Sequence, residues 1–188
     1  MGRLIQAKEL QGKNTVAFAR RLLGCALVRT LADGRQERHL IAETEAYNGW
    51  EDRASHASRG RTPRNAPMFA AGGIWYVYLC YGVHEMLNLV TGPEGFPAAV
   101  LIRGVTGITG PGRLTKALGI DRQLNGAPVA PASGLHLEES VTVPARWIQR
   151  TPRIGVDYAG PEWAGKLWRF RVDAERLLKL AAEKSARG

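Results

Sequence analysis

Residues 40–47, Leu-Ile-Ala-Glu-Thr-Glu-Ala-Tyr, alternate in the way that a β-strand requires. The alternation places Glu43, Glu45 and Tyr47 on one face of the strand and small or apolar side chains on the other. The apolar face is expected to pack on the core. Two carboxylates and an aromatic ring on the opposite face suit a cleft, although a solvated strand face would give the same pattern.

Two β-hairpins are predicted on either side of this stretch. Residues 25–31 read as a strand, and Asp33-Gly34 is a turn signal that returns the chain into the 40–47 strand. Residues 74–81 are aromatic and β-favouring, Gly82 permits a tight turn, and residues 84–91 run back as the partner strand. We expect this second hairpin to protrude from the sheet.

The remaining chain adds helices and one further strand. Asn14 or Thr15 can cap a first helix, residues 98–105 read as a buried strand, and Gly110-Pro111-Gly112 opens a second helix. Residues 48–73 read as a long functional loop, with a short helix over 51–57, and the chain ends in a strand over 166–172 and a helix over 174–186. The expected fold is α+β: a single domain, 1–188, with a curved, largely antiparallel sheet, a protruding hairpin and surrounding helices.

The charge predicts a polyanionic partner. There are 26 Lys and Arg against 17 Asp and Glu, a net charge of +9 and a sequence pI near 10.1. Arg53, Arg59, Arg61 and Arg64 cluster inside the long loop, which favours phosphate contact over mere solubility.

Cellular location is predicted from what the sequence contains. No apolar run approaches the roughly 20 residues that span a bilayer. Cys25 and Cys80 lie in apolar sequence and are interpreted as small core residues in a reducing compartment. The protein is therefore expected in the cytoplasm, without a membrane partner. Its excess of positive charge adds an expected association with the nucleoid through DNA binding.

Aromatic residues indicate how nucleic acid is bound. Tyr81 falls at the tip of the second hairpin, where turns usually carry small polar residues. Its ring can fill a gap in a base stack, or it can fold back onto the core. Tyr47, His56 and Tyr78 can bracket a flipped purine, and Asn88 can read its edge.

No metal or cofactor is predicted. Residues 84–88, His-Glu-Met-Leu-Asn, resemble the start of a zinc-protease motif, but Asn88 stands where the second histidine belongs and the stretch reads as a strand.

The two glutamates of the 40–47 strand leave two hydrolytic chemistries open. Glu43 and Glu45 can form the acid and base of an inverting sugar hydrolase, although the arginine-rich loop fits DNA better. No lysine lies between Lys13 and Lys116 to form a Schiff base, so water is the expected nucleophile, with Glu45 as its general base.

Taken together, these motifs resemble the alkyladenine (3-methyladenine) DNA glycosylase family, the type without a helix-hairpin-helix motif. The resemblance covers nearly the whole chain. It rests on Ala42-Glu43-Thr44-Glu45-Ala46-Tyr47, Thr62-Pro63-Arg64-Asn65, Tyr76-Val77-Tyr78 with Tyr81-Gly82, Asn88, the strand ending at Arg103, and residues 110–118.

The resemblance implies roles for individual residues. Glu45 rather than Glu43 would activate the water, with Arg103 helping to hold the site, while Tyr47, His56 and Tyr78 would enclose the flipped base. Tyr81 would occupy the hole in the duplex, and Asn88 would disfavour ordinary guanine by crowding its exocyclic amino group. The helix opening at Gly112 would seat a phosphate. The predicted DNA contacts are Tyr81, Gly82, Arg61, Arg64, Asn65, Gly112, Arg113, Thr115 and Lys116.

The functional prediction is a monofunctional DNA glycosylase that releases alkylated or deaminated purines (3-methyladenine, 7-methylguanine, hypoxanthine) from double-stranded DNA, acts as a monomer and initiates base excision repair. The alternatives are a non-catalytic nucleic-acid-binding module, which the charge alone allows, and the sugar hydrolase.

Overall fold

The fold is built around β2 (Gln36–Asn48), the longest strand in the computed structural model, which describes residues 2–186. Its first half pairs antiparallel with β1 (Ala26–Thr30), and its second half pairs antiparallel with β5 (Ala98–Val105). β9 (Arg169–Arg171) pairs with the middle of β2 on the edge opposite β5. The predicted strand over 40–47 is confirmed, although it begins earlier, at Gln36.

The other strands extend this sheet into a curled half-barrel. They are β3 (Trp75–Cys80), β4 (His84–Val90), β6 (Ile108–Thr109), β7 (Leu135–Glu138) and β8 (Gln149–Thr151). The order is β3-β4-β5-β2-β1-β7, while β6 pairs with β5 and β8 with β9. All of these pairs are antiparallel. The α+β class, the curved antiparallel sheet and both hairpins are confirmed.

Short helices cover the sheet. They are α1 (Thr15–Arg21), α2 (Pro111–Ala117), α3 (Pro161–Ala164) and α4 (Ala174–Ala186). Asn14 caps α1, since its side chain accepts from the backbone N–H of Ala17. The hydroxyl of Thr44 donates to the carbonyl of Ala19 at 2.8 Å and ties α1 to β2.

Some expectations fail where elements are very short. The helix expected over 51–57 is wrong: the loop instead contains 3₁₀ turns at His56–Arg59 and Ala66–Phe69. β6, β7, β8 and α3 were not predicted, because segments of two to four residues carry too little periodicity.

Three expectations on the chain as a whole can be compared with the structure. Cys25 is buried as expected, whereas Cys80 is only half-buried, close to the hairpin tip. No helix within residues 2–186 is long and apolar enough to cross a membrane. The predicted domain, 1–188, includes Met1, Arg187 and Gly188, which lie outside the described residues.

Candidate active site

A cavity of about 460 Å³ opens between the β3–β4 hairpin, the loop after β2 and the segment 154–158. Seven of the predicted site residues line it: Tyr47, His56, Arg64, Tyr78, Tyr81, Asn88 and Arg103. They come from four separate parts of the chain, so the sheet and its loops bring together residues that the sequence could only propose one by one.

Glu45 lies immediately behind the wall of this cavity, fully excluded from solvent. Its Oε2 accepts from the hydroxyl of Tyr47 at 2.9 Å and lies 3.4 Å from Nη1 of Arg103. Its Oε1 accepts from the backbone N–H of Ile154 at 2.9 Å. The three partners all line the cavity. The polar face of β2 is therefore not an open cleft wall, because Tyr47, Arg103 and Ile154 cover it.

Burial raises the pKa of Glu45 above its ordinary value near 4.5, against the opposing effects of Arg103, the Ile154 N–H and the Tyr47 hydroxyl. A raised pKa makes the carboxylate a stronger base when it is ionised. The donors around it oppose this rise, because each of them stabilises the ionised form of the carboxylate.

Glu43 lies in a different environment only two residues away. Its Oε1 accepts from Nε of Arg103 at 2.9 Å and from Nε of Arg169 at 2.7 Å. Partial burial works to raise its pKa, but Arg169 and Arg103 outweigh this and hold the pKa below its ordinary value. Glu43 is thus committed to two arginines, which leaves it poorly placed to act as an acid.

Arg103 reaches both glutamates because the sheet is irregular at this point. The register of β2 against β5 pairs Glu43 with Gly104 and then Thr44 with Ile102. Arg103 is passed over in that step, as at a β-bulge. Bulges re-aim side chains, and here the guanidinium spans Glu43 and Glu45.

Aromatic side chains form the next part of the cavity wall. The rings of His56 and Tyr78 pack edge to face with centroids 4.6 Å apart, and Nδ1 of His56 lies 3.3 Å from the hydroxyl of Tyr76. Desolvation, followed by the charge of Arg64, lowers the pKa of His56, so that the imidazole is neutral at pH 7. Burial raises the pKa of Tyr76 to about 12. No role was predicted for Tyr76, which resembles a core residue in sequence.

Asn88 is buried and rigidly held at the cavity. Its side-chain NH₂ donates to the carbonyls of Tyr76 and Met86, each at 3.1 Å. Because both donors of the amide are used in this way, the polar atom left for a ligand is the carboxamide oxygen.

The tip of the β3–β4 hairpin presents Tyr81 to solvent. Tyr81 and Gly82 have φ of +49° and +70°, and the N–H of Val83 donates to the carbonyl of Cys80 at 3.1 Å. Positive φ at both central residues matches a type I′ turn, in which glycine is favoured and tyrosine is strained. The ring is 94% exposed, so the alternative in which it folds back onto the core is wrong.

The residues of the phosphate site predicted at α2 differ in exposure: two are exposed and two pack against the β3–β4 hairpin. Arg113 and Lys116 are exposed. Thr115 is buried, with its hydroxyl 2.9 Å from the carbonyl of Glu85, so it ties α2 to β4 and does not offer its hydroxyl to a phosphate in this conformation. Gly112 permits close packing, since a Cβ there would lie 2.7 Å from Cγ of His84.

The basic loop also separates structural from exposed residues. Asn65 is buried, accepts from the N–H of Thr62 at 2.7 Å and donates to the carbonyls of His56 and Gly60, each at 2.9 Å. Asn65 therefore holds the loop that carries His56, and its predicted direct contact with DNA stays a prediction. Arg61 and Arg64 are exposed, and Arg64 also lies over the ring of Tyr78.

Sequence reasoning missed the segment 153–158 entirely. Arg153 forms a buried ion pair with Asp52, Ile154 supplies an N–H to Glu45, and Tyr158 lines the cavity with its hydroxyl donating to the carbonyl of Ala54 at 2.9 Å. The segment has neither periodicity nor a motif of its own, and a lone arginine after a proline carries no usable signal.

Residues 2–186 contain no group of three or more His, Cys, Asp or Glu side chains placed to hold a metal ion. The protein groups that can act on a ligand in this cavity are the buried carboxylate of Glu45, the guanidinium of Arg103 and the aromatic rings of the wall.

Comparison with known proteins gives a consistent result. The family model of methylpurine-DNA glycosylase (MPG) matches residues 9–109 and 106–176. Several proteins that are provisionally named 3-methyladenine DNA glycosylases are similar to this chain over most of their length. The one from Methanocella arvoryzae is 43% identical over 87% of this chain and 90% of its own, and that from Myxococcus xanthus is 45% identical over 87% and 88%. The one from Herpetosiphon aurantiacus is 37% identical over 95% and 89%.

Proposed function

Because the chain belongs to the methylpurine-DNA glycosylase family, and is therefore a hydrolase of N-glycosidic bonds in DNA, we propose that it flips alkylated or deaminated purines out of duplex DNA and releases them with a water activated by Glu45. The substrates proposed are 3-methyladenine, 7-methylguanine and hypoxanthine. The products are the free base and an abasic site, with which base excision repair begins.

The observation that carries this proposal is the position of Glu45. One buried carboxylate has all of its described polar partners, Tyr47, Arg103 and Ile154, in the wall of an aromatic-lined cavity. A base in the cavity would bring its sugar to this wall, and a water admitted between Tyr47, Arg103 and Ile154 would reach the ionised carboxylate behind them and give up a proton to it. The same negative charge stabilises the positive charge that develops on the deoxyribose as the base leaves.

Water is the proposed nucleophile because the site offers no amine. None of the described residues that line the cavity is a lysine. A glycosylase that also cuts the strand forms a Schiff base through an amine. The reaction therefore ends at base release, with the backbone intact.

The cavity wall suits a stacked base. Tyr47, His56 and Tyr78 offer ring faces and edges, and stacking on aromatic side chains is worth about 1 to 3 kcal/mol per base. A neutral His56 avoids repulsion of a cationic alkylated base, which the rings attract by cation–π interaction. The side chain of Asn88 is fixed by its two hydrogen bonds and cannot easily move aside, and we propose that it crowds the exocyclic amino group of ordinary guanine.

Duplex binding is proposed to involve the exposed residues around the cavity. Tyr81 would fill the space that the flipped base leaves, and Arg61, Arg64, Arg113 and Lys116 would contact phosphates. A net charge of +9 supports this electrostatic term. The protein is proposed to act as a monomer.

The test is base release from a duplex that carries one 3-methyladenine analogue or one hypoxanthine. We expect free purine by chromatography and an alkali-labile site in equal amounts, with full activity in excess chelator. Glu45→Gln, which keeps the shape of the side chain, should bind the lesion duplex and release no purine. Release at the wild-type rate by this variant would remove Glu45 from the proposed role, and binding without release by the wild type would indicate a non-catalytic module.

A further inference from the structure

A buried ion pair joins the two segments that flank the cavity. Nη1 and Nη2 of Arg153 donate to the two carboxylate oxygens of Asp52 at 2.6 and 2.8 Å, and both side chains are fully excluded from solvent. Burying such a pair costs each ion its hydration, so a buried pair is weak evidence for stability. Its placement beside the site suggests a role in positioning.

The pair connects the strand that carries Glu45 to the loop that carries His56. Nη1 of Arg153 also donates to the carbonyl of Ala46, at 2.8 Å, and Ala46 lies between Glu45 and Tyr47. Asp52 accepts from the N–H of Asn48 at 3.0 Å and of Ala54 at 3.1 Å. The pair therefore fixes the end of β2 and the start of the loop against residue 153.

We propose that Arg153 and Asp52 are positioning residues for the general base, because they hold the backbone N–H of Ile154 at the hydrogen-bonding distance from Glu45. This inference rests on the proposed role of Glu45. Ile154 itself is half exposed, so its side chain supplies little anchoring, and the neighbouring Arg153 fixes the backbone at this point.

The pair acts on Glu45 through geometry. The charged and titratable groups that act on Glu45 are Arg103 from β5, Arg169 from β9 and Tyr47 from its own strand, while Glu43 of the same strand pairs with Arg103. The charge of Arg153 is neutralised by Asp52. Losing the pair should therefore alter Glu45 by misaligning the Ile154 N–H.

The arrangement requires arginine. The guanidinium lies between two rings, 4.9 Å from the centroid of Tyr47 and 5.1 Å from that of Trp168, while its donors reach Asp52 and Ala46. An ammonium group has the same charge but cannot make a two-pronged bond to a carboxylate while it stacks between rings.

The test is Arg153→Lys, measured with saturating enzyme on a lesion duplex in single turnover across pH. We expect base release to slow on the order of 10–100-fold with DNA affinity nearly unchanged, because small misplacements of reacting groups have effects of this size. The acid limb of the rate profile should move to higher pH, since Glu45 loses a donor to its ionised form. Arg150→Lys is the matched control, an exposed arginine of β8 that lies over Phe170.

A second variant keeps every side chain. Replacing residue 154 by its α-hydroxy acid analogue changes the amide N–H to an ester oxygen, and we expect the same slowing and the same shift of the acid limb. Adding Arg153→Lys to the ester protein should shift the acid limb no further, because both changes remove the same hydrogen bond, from the Ile154 N–H to Glu45.

The outcomes separate this inference from the proposed function. A lower melting temperature in Arg153→Lys, with wild-type rate and acid limb per folded molecule, would make the pair merely structural and overturn the inference. The inference is also overturned if Glu45→Gln is inactive while the ester protein keeps the wild-type rate and acid limb. Turnover by Glu45→Gln would instead overturn the proposed function.

Discussion

The tip of the β3–β4 hairpin and the wall around Glu45 are built in opposite ways. At the tip, Tyr81 is 94% exposed and held at φ +49°. At the wall, Glu45 is fully buried and both of its oxygens have partners. Backbone strain and exposed aromatic surface persist where a surrounding structure or a function maintains them. The tip is thus suited to contact with a partner, and the wall to chemistry that requires fixed geometry.

The comparison predicts that small displacements of side-chain groups at the wall slow base release, and that loss of aromatic surface at the tip weakens DNA binding. Glu45→Asp keeps the charge but withdraws the carboxylate by about 1.5 Å. We expect base release in single turnover to fall by about 100-fold, because catalysis depends steeply on such distances.

Glu43→Asp is the control for this change, since it makes the same alteration on the same strand. Glu43 does not line the cavity and bonds to Arg103 and Arg169, without a described bond to Tyr47 or Ile154, so its shortening should have the smaller effect. Equal losses in the two variants would contradict the distinction between the glutamates.

Tyr47→Phe tests the hydrogen bonds of the wall without changing the ring. The Tyr47 hydroxyl donates to Glu45, so its loss should raise the pKa of that carboxyl further above its ordinary value. The base must be ionised, and activity is lost as pH falls through this pKa. We therefore expect the acid limb of base release to move up by about one to two pH units, from the usual strength of a hydrogen bond to a charged group.

Tyr158→Phe is the matched control, because that hydroxyl also belongs to the cavity wall but donates to the carbonyl of Ala54. Its acid limb should stay at the wild-type position. A shift as large as that of Tyr47→Phe would mean that the effect is not specific to Glu45.

Tyr81→Ala tests the tip. Losing the ring should weaken binding to a lesion duplex by about 1–2 kcal/mol, roughly 5–30-fold, since base–aromatic stacking has this strength. Fluorescence anisotropy would measure the affinity, and Val83→Ala, an exposed apolar neighbour, should change it less. Unchanged affinity in Tyr81→Ala would remove the tip from the DNA interface.

The elements that could be predicted are those with a local sequence pattern of their own. The strand at 40–47 and both hairpins have long alternation and turn signals, and they are confirmed. β7 was missed, since its four residues are held from a distance, including the bond from Nε1 of Trp75 to the carbonyl of Leu135.

The site follows the same rule. Alternation brought Glu45 and Tyr47 to one face, but it could not show that Glu45 is covered. The covering segment includes Ile154, 109 positions away in sequence, and Arg153 reaches Asp52 across 101 positions. No local pattern records such contacts, because only the folded sheet brings these segments together.

The smallest expected effect concerns the strain at the tip. Asparagine tolerates positive φ and is favoured before glycine in type I′ turns, so Tyr81→Asn should stabilise the fold by about 1 kcal/mol. For a chain of this size, that raises the melting temperature by about 2–4 °C. Tyr81→Ala, which keeps the unfavourable φ, should show no such rise, and an unchanged melting temperature in Tyr81→Asn would mean that the turn is not strained.

The two measurements on Tyr81→Asn together test why tyrosine stands at the tip. If this variant is more stable than the wild type yet binds the lesion duplex as weakly as Tyr81→Ala, tyrosine serves binding at this position, because the turn itself is better formed without it.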